Sequence, residues 1–403
     1  MNVAVDMSGD GFNLPDDVKA FKEVARKIVQ DELLPLEQKY LLHPGKSISL
    51  RARDALRAVF DQSVVDRLYD ISQKAGMWGL HVPEEHGGSG LSLLAKVAIL
   101  EEFNYTAVPF PFAEVPNILY SCKGDQIDEF LKPCIEGTKL GAFAQTEPDA
   151  GSDPGGMMRT SAVRDGSDWV INGTKMWISN AKAADFVMVQ AVTDPEKRQR
   201  GGITMFLIDR KNLGMKVVEP GIHTWLDASP SQYIIHFEDC RVPQEAVLGE
   251  VGWGFGLGQK WLTVHDRLLR GPFALGKMQR ALDMSIEWSK QRRTFGKPIA
   301  ERQAIQWKIV DMYVAIRSLR ALVYQAAANA DNGGDATMDA SLVKLCAAEW
   351  GSVTLDHSIQ IHGAMGESLE LPLTLFFRYL RHTRIGGGTS EIQKMLLARR
   401  LLK

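Results

Sequence analysis

The 403-residue chain is poor in cysteine, nearly neutral, and without long apolar runs. Its four cysteines, Cys122, Cys134, Cys240 and Cys346, lie far apart and form no C-x-x-C pair. That spacing argues against a zinc ribbon, a redox dithiol or a disulfide framework, and reads as reduced core residues. The nine histidines include no H-E-x-x-H, and His357 and His382 stand alone in helical patterns, so metal catalysis is not indicated. Forty-seven Lys plus Arg against 49 Asp plus Glu leave a net charge of -2, which offers no electrostatic footprint for a nucleic acid. The longest apolar stretches are broken by Lys, Arg or Gln, so no membrane-spanning helix is expected. The first 16 residues carry acidic side chains and neither a basic n-region nor an Arg-rich transit pattern, so the expected address is cytoplasmic.

What remains is an ordinary globular composition, 45% hydrophobic and 24% charged, long enough for two or three structural units. From Leu14 to about Leu140 apolar residues recur at helical spacing, as in Val18, Phe21, Val24, Ala25, Ile28 and Val29. Gly and Pro clusters at His43–Lys46 and Val82–Gly90 punctuate this zone. The period then changes to short β-type runs: Trp169–Ile171, Lys175–Ile178, Phe186–Val192, Ile203–Ile208 and Tyr233–Phe237. Asp165-Gly166 and Asn172-Gly173 read as hairpin turns between them. After Gly258 the helical period returns, with helices expected over Gln259–Arg292, Glu301–Asp331, Asp335–Gly363 and Ser390–Leu402 and a stop at Asn332-Gly333-Gly334. The expectation is an α+β chain with an N-terminal all-α domain (1–142), a middle β-barrel-like domain (143–250) and a C-terminal four-helix bundle (251–403).

Four segments stand out chemically. Thr146-Glu147-Pro148-Asp149-Ala150-Gly151-Ser152-Asp153 is a polar loop at the junction of helical and β zones: a ligand loop or a plain interdomain turn. In Lys175-Met176-Trp177-Ile178-Ser179-Asn180, Trp177 is either a core aromatic or a platform for a planar ring. Arg292-Arg293-Thr294-Phe295-Gly296-Lys297, followed by Gln303, suits a pyrophosphate and a stacked ring, although basic residues also favour helix C-termini. Arg384-Ile385-Gly386-Gly387-Gly388-Thr389 runs into an apparent capping box, Ser390-x-x-Gln393. A cap needs one glycine, whereas three allow close approach of a ligand to the backbone.

Taken together with Gln360-Ile361-His362-Gly363, these segments resemble, in order and over nearly the whole chain, the acyl-CoA dehydrogenase family. The resemblance implies a flavoenzyme that binds FAD and desaturates an acyl-CoA thioester between its α and β carbons, passing electrons to an electron-transfer flavoprotein. It implies that Gln145, Thr146, Gly151, Ser152, Trp177, Ile178 and Ser179 hold the flavin half of FAD. Arg292, Thr294, Phe295, Gln303, Gln360 and Gly363 match positions that reach the adenine dinucleotide of a neighbouring subunit, so a homotetramer or hetero-oligomer is implied. Thr389, Glu391 and Gln393 match the segment that closes over the cofactor. Ser152 matches a position near the CoA pantetheine, and Arg267 one near the pantetheine and pyrophosphate.

One departure matters. Most of the family carries the catalytic Glu where this chain has Gly387. A minority, similar to isovaleryl-CoA and long-chain dehydrogenases, carries it on the first long helix of the C-terminal domain just before an Arg, where this chain has Asp266-Arg267. Asp266 is therefore the expected base; the alternative is a solvated helical carboxylate paired with an arginine. Asp is one methylene shorter than Glu, and a displacement of about 1 Å can cost on the order of 100-fold in rate. The resemblance implies that the Gly387 N–H keeps the role of donor to the thioester oxygen. A glycine at 387 suggests spare volume near the α-carbon, hence branched, cyclic or bulky acyl groups. Two other functions stay open: an oxygen-reactive oxidase or monooxygenase of the same superfamily, and a base-lacking partner subunit.

Overall fold

The structure is a computed structural model that describes residues 14–43, 52–112, 115–226 and 230–403. Most of the His43–Lys46 cluster lies outside the described residues. The N-terminal part is helical: α1 (Asp16–Ile28), α2 (Leu34–Leu42), α3 (Ala52–Arg57), α4 (Gln62–Lys74) and α5 (Leu93–Phe103). Helix α5 is buried on nearly every side, and Ser92 caps it by accepting from Ala95 N–H at 3.1 Å. Being internal, it carries buried polar residues that need partners. Glu101 finds Arg320 Nε at 2.8 Å and Tyr324 OH at 2.7 Å. Burial works against the Glu101 charge, but Arg320 and Lys22 outweigh it and keep its pKa below the usual value. This network ties the N-terminal helices to the C-terminal bundle.

After the short helix α6 (Lys132–Ile135) the chain enters a seven-stranded sheet, with the short helix α7 (Pro154–Met157) between its first two strands. The strands are β1 (Gly141–Ala144), β2 (Ser161–Asp165), β3 (Asp168–Ser179), β4 (Phe186–Val192), β5 (Ile203–Asp209), β6 (Met215–Val217) and β7 (Gln232–Val242). The order runs β1-β4-β2-β3-β7-β6, with β5 paired to β4. Every residue of β4 is buried, which is why it reads as a continuous apolar run rather than an alternating one. Asp165 pairs with Asp168, so the Asp165-Gly166 turn forms as expected. Asn172-Gly173 is not a turn: it lies inside β3, where the register against β7 shifts between Ile171 and Gly173. Gly173 is needed there because a Cβ would come within 2.6 Å of the Thr160 backbone. Strands β1 and β6 are too short to carry a period.

The C-terminal part starts with α8 (Gly254–Trp261), continues without a break through a π-helical stretch over Leu262–Leu268, and becomes α9 (Arg270–Gln291). A small hairpin follows, β8 (Arg293–Thr294) and β9 (Lys297–Pro298). Then come α10 (Gln303–Asp331), α11 (Thr337–His362), α12 (Ala364–Glu367), α13 (Leu373–Thr383) and α14 (Ser390–Leu401). Helix α13 is an element the periodicity did not isolate. Leu275, Met278, Leu319, Val323, Ala347, Leu355 and Phe376 share the core of this bundle. All four cysteines are free and buried. No helix among the described residues is long and apolar enough to cross a membrane.

Candidate active site

The glycine-rich loop between α13 and α14 meets the π-helical stretch, and the meeting point is Gly387 against Asp266. Gly387 has φ +69°, and a Cβ built on it would lie 1.8 Å from Asp266 Oδ2. Positions 266 and 387, the two that the resemblance offered for a base, thus converge on one point in space. Only one of them can hold a side chain. The space freed by Gly387 is filled by the Asp266 carboxylate, which removes the expected spare volume and with it the argument for bulky acyl groups. A π-helical turn widens the helix by one residue and recurs at functional sites; here it spans Asp266.

Asp266 Oδ1 accepts from Arg270 Nη2 at 2.5 Å, one helical turn along. Arg270 also donates to Tyr379 OH at 3.2 Å. Burial opposes the Arg270 charge, yet Asp266 and Tyr379 more than offset it and raise its pKa above the guanidinium norm. The carboxylate is therefore fixed through one oxygen by a permanent cation, while Oδ2 faces Gly387. The paired-carboxylate alternative is met in part: Asp266 is paired with Arg270, but it is only partly exposed.

Arg267 departs from expectation. Its guanidinium is buried, donating to Gly387 O at 3.2 Å and Gln259 Oε1 at 3.4 Å. It braces the loop instead of reaching outward for a phosphate. Lys344 does the same from α11, donating to Gly388 O at 2.5 Å. Gln393 is fully buried and turns its amide back to Gly388 O at 3.0 Å, so it too shapes the loop. The cap of α14 is Thr389, which accepts from Ile392 N–H at 3.3 Å, one residue before the expected Ser390; Ser390 donates instead to Glu349. Glu391 is exposed. With its carbonyl held by Arg267, Gly387 keeps its N–H without an acceptor among the described residues.

In the β-domain, the loop after β1 is held by a pair the sequence contained without revealing its role. Lys175 Nζ donates to Glu147 Oε1 at 2.8 Å and to Gln145 O at 3.1 Å, and both side chains are almost wholly buried. Glu147 also accepts from Arg159 N–H at 2.6 Å and Thr160 N–H at 2.9 Å. Gln145, Thr146, Gly151 and Ser152 sit on the loop so fixed, with Gly151 and Ser152 exposed. Trp177 lies at a second irregularity of β3, between Lys175 and Ile178, with φ +63° and its ring 47% exposed. A bulge of this kind re-aims a side chain, and Trp177 stands exposed at the surface and is not a core aromatic. The Ile178 side chain is in the β-domain core, leaving its backbone for any ligand; Ser179 is exposed.

The Arg292–Gly296 segment forms the tip of the β8–β9 hairpin, where Phe295 has φ +50° and is 97% exposed. Arg292, Gln303 and Gln360 are exposed and Thr294 is partly so. Gly363 ends α11 at φ +60°. His362 stacks on Trp288 at 5.4 Å, and Trp288 O accepts from Arg292 N–H at 2.8 Å, which brings the end of α11 beside the root of the hairpin. These groups lie on the surface of the single chain.

Such a fold, with a carboxylate beside a glycine loop and a braced β-domain platform, defines an oxidoreductase built around a planar cofactor. Three family models cover the chain: acyl-CoA dehydrogenase N-terminal domain over 15–138, middle domain over 142–240 and C-terminal domain over 252–402. The chain belongs to the acyl-CoA dehydrogenase family, whose cofactor is FAD. It is 34% identical to the short-chain specific acyl-CoA dehydrogenase of Rattus norvegicus over 397 residues, 97% of this chain and 91% of that one. It is 37% identical to the caffeyl-CoA reductase-Etf complex subunit CarC of Acetobacterium woodii, covering 85% and 90%. The structure of butyryl-CoA dehydrogenase from Megasphaera elsdenii superposes with a TM-score of 0.81 at 31% identity, covering 97% and 100%. The residues present fit a flavin: Trp177 is aimed out of the sheet, nothing stands within 4 Å of a Cβ at Gly151, and Gln145 Oε1 is a buried acceptor without a partner.

Proposed function

We propose that this chain desaturates an acyl-CoA thioester between its α and β carbons, with Asp266 taking the α-proton. The observation that carries the reading is the contact of Asp266 Oδ2 with the space beside Gly387. A base must be within reach of the proton it removes and preset in orientation, and Arg270 fixes this one through its other oxygen. The α-proton is weakly acidic, so the thioester oxygen needs donors in place before reaction. The unpaired Gly387 N–H is such a donor, and Arg267, Lys344 and Gln393 keep its loop from moving. FAD, when bound, supplies the acceptor for the β-hydride.

Trp177, the backbone of Ile178, Ser179 and the loop Gln145–Ser152 would hold the flavin half. Arg292, Thr294, Phe295, Gln303, Gln360 and Gly363 would serve the dinucleotide of a neighbouring copy, with Thr389 and Glu391 at the closing edge. Their surface position in one chain supports an assembly of several copies. An electron-transfer flavoprotein is the acceptor we assign, because a relative carries Etf in its name. The test is anaerobic: acyl-CoA added to the purified yellow protein bleaches the flavin, and bleached protein is reoxidised slowly by oxygen alone. Fast reoxidation by oxygen would make it an oxidase, and no bleaching across an acyl-CoA panel would overturn the reading.

A further inference from the structure

A cavity of about 340 Å³ lies between α5, the start of the β-domain and the helix that carries Asp266. Leu269 and Phe273 line it, three and seven residues beyond Asp266 and so on the same face of that helix. With a water's share of volume near 30 Å³, it holds on the order of ten non-hydrogen atoms. Most of its wall is apolar, as an acyl pocket requires: Leu80, Leu100, Phe112 and Val115 contribute. Three polar residues interrupt it, His81, Asn180 and Lys96, and one of them is a cation. Lys96, from the first turn of α5, is 91% buried and lines the cavity, and no described residue pairs with its ammonium.

An ammonium removed from water without a partner is among the costliest arrangements in a protein. Elsewhere this molecule avoids it: Lys175 has Glu147, and Lys344 has a loop carbonyl. Lys96 has neither, and burial pulls its pKa down to about 7. His81, which shares the cavity wall, gives no relief: it is kept neutral, its pKa lowered to about 3 by burial and by Lys96 itself. Asn180 adds a polar group from the β-domain side, its side-chain oxygen buried without a described partner. A methyl-terminated acyl chain would leave the Lys96 ammonium unanswered, whereas a carboxylate supplies the missing charge; the Asn180 oxygen is itself an acceptor and takes no part in holding it. The cavity is too small and too apolar to admit the phosphates of CoA, so the anion must belong to the acyl group.

We propose that the preferred substrate is the CoA monothioester of a dicarboxylic acid, its free carboxylate held by Lys96 at the far end of the acyl pocket. This rests on the acyl-CoA reading above and names the substrate class within it. Holoenzyme is assayed anaerobically with pairs of acyl-CoAs of equal chain length, one ending in methyl and one in carboxylate, and Kd is read from the flavin spectrum. Wild type should favour the carboxylate by roughly 100-fold or more in kcat/KM, the scale of discrimination by a buried polar site. Lys96→Met should invert the order, lowering the carboxylate substrate by a similar factor and raising its methyl partner. Lys96→Arg should retain the carboxylate preference in part. A wild type that favours the methyl-terminated member, or a Lys96→Met that changes both alike, overturns the assignment of Lys96 while leaving desaturation standing. Absence of bleaching with every member overturns desaturation itself. The wild-type preference decides the matter even where a variant fails to fold.

Discussion

Asp266 and Gly387 share one volume: the carboxylate of the first stands where the side chain of the second would begin. The residues lie 121 positions apart, and the relation requires glycine at one because the other is filled. It predicts that Asp266→Asn, nearly isosteric, keeps FAD and acyl-CoA binding while flavin bleaching slows by roughly 100- to 10,000-fold, the range for loss of a general base. Stopped-flow absorbance under anaerobic conditions measures it. Bleaching at the wild-type rate would remove Asp266 as the base.

Restoring a glutamate at 387 alone should fail. Gly387 has a left-handed φ, costing a non-glycine residue on the order of 1 kcal/mol, and the new Cβ meets Asp266. Gly387→Glu and Gly387→Ala should both lose activity, whereas Gly387→Glu combined with Asp266→Gly should recover part of what Gly387→Glu loses. Comparing kcat of the three variants shows whether the two positions exclude each other. A fully active Gly387→Ala would contradict the contact.

The Lys175–Glu147 pair predicts a stability effect. Removing one partner of a buried ion pair strands the other, at a cost of about 3–5 kcal/mol. Glu147→Gln should lower the denaturant midpoint accordingly and weaken FAD retention, because Gln145 O is tethered to the same ammonium. Lys175→Met with Glu147→Leu should be less destabilised than Glu147→Gln. Equal loss in the single and double variants would argue that the pair does not act as a unit.

Periodicity carried the three zones because each buries its apolar residues at a fixed spacing: one stripe of α1, the whole of β4, the bundle faces of α9 to α11. It failed where local chemistry was ambiguous. Asn172-Gly173 has the composition of a turn, but its glycine is required by the approach of Thr160, a contact invisible in sequence. Ser390 and Thr389 are equally good caps, and the choice is made by Glu349, which draws the serine hydroxyl away. For Asp266 and Arg267 the motif gave the position, but not that one carboxylate oxygen is tied to Arg270 or that the arginine turns inward. Lys96 sits in an apolar run, and only the folded structure shows that it lines a cavity.

Stability should rise with pH around another buried lysine. Burial first, then repulsion by Arg270, lowers the Lys277 pKa to about 7; its ammonium donates to Asn104 Oδ1 at 2.5 Å and lies over the Tyr379 ring. Unfolded, it titrates near 10.5. Between about pH 7 and 10.5 the unfolded chain therefore binds more protons than the folded one, and linkage makes stability increase with pH through that window. Lys96, Lys175 and Lys344, also lowered, act in the same direction. Urea titrations at pH 7.5 and 9.5 should show a smaller rise for Lys277→Met than for wild type. An equal rise would mean that Lys277 keeps an ordinary pKa.

Helix α10 leaves an apolar stripe in water. Trp307 is 60% exposed, and Val310 and Val314 follow it at i+3 and i+7 with similar exposure, on one face of the helix that Gln303 begins. A stripe of this kind is the mark of a protein–protein contact, and under the proposed FAD assignment its partner would be a second copy of this chain. Trp307→Asp should then break the assembly and release FAD together, since Arg292, Phe295 and Gln303 would no longer reach a neighbour's dinucleotide. Light scattering gives the mass and the ratio of flavin to protein absorbance gives the occupancy. Circular dichroism checks that the separated chains remain helical. If assembly and FAD content both survive the change, the stripe is not the interface; if the chains separate but keep stoichiometric FAD, the cofactor is held within one chain and the shared site is wrong.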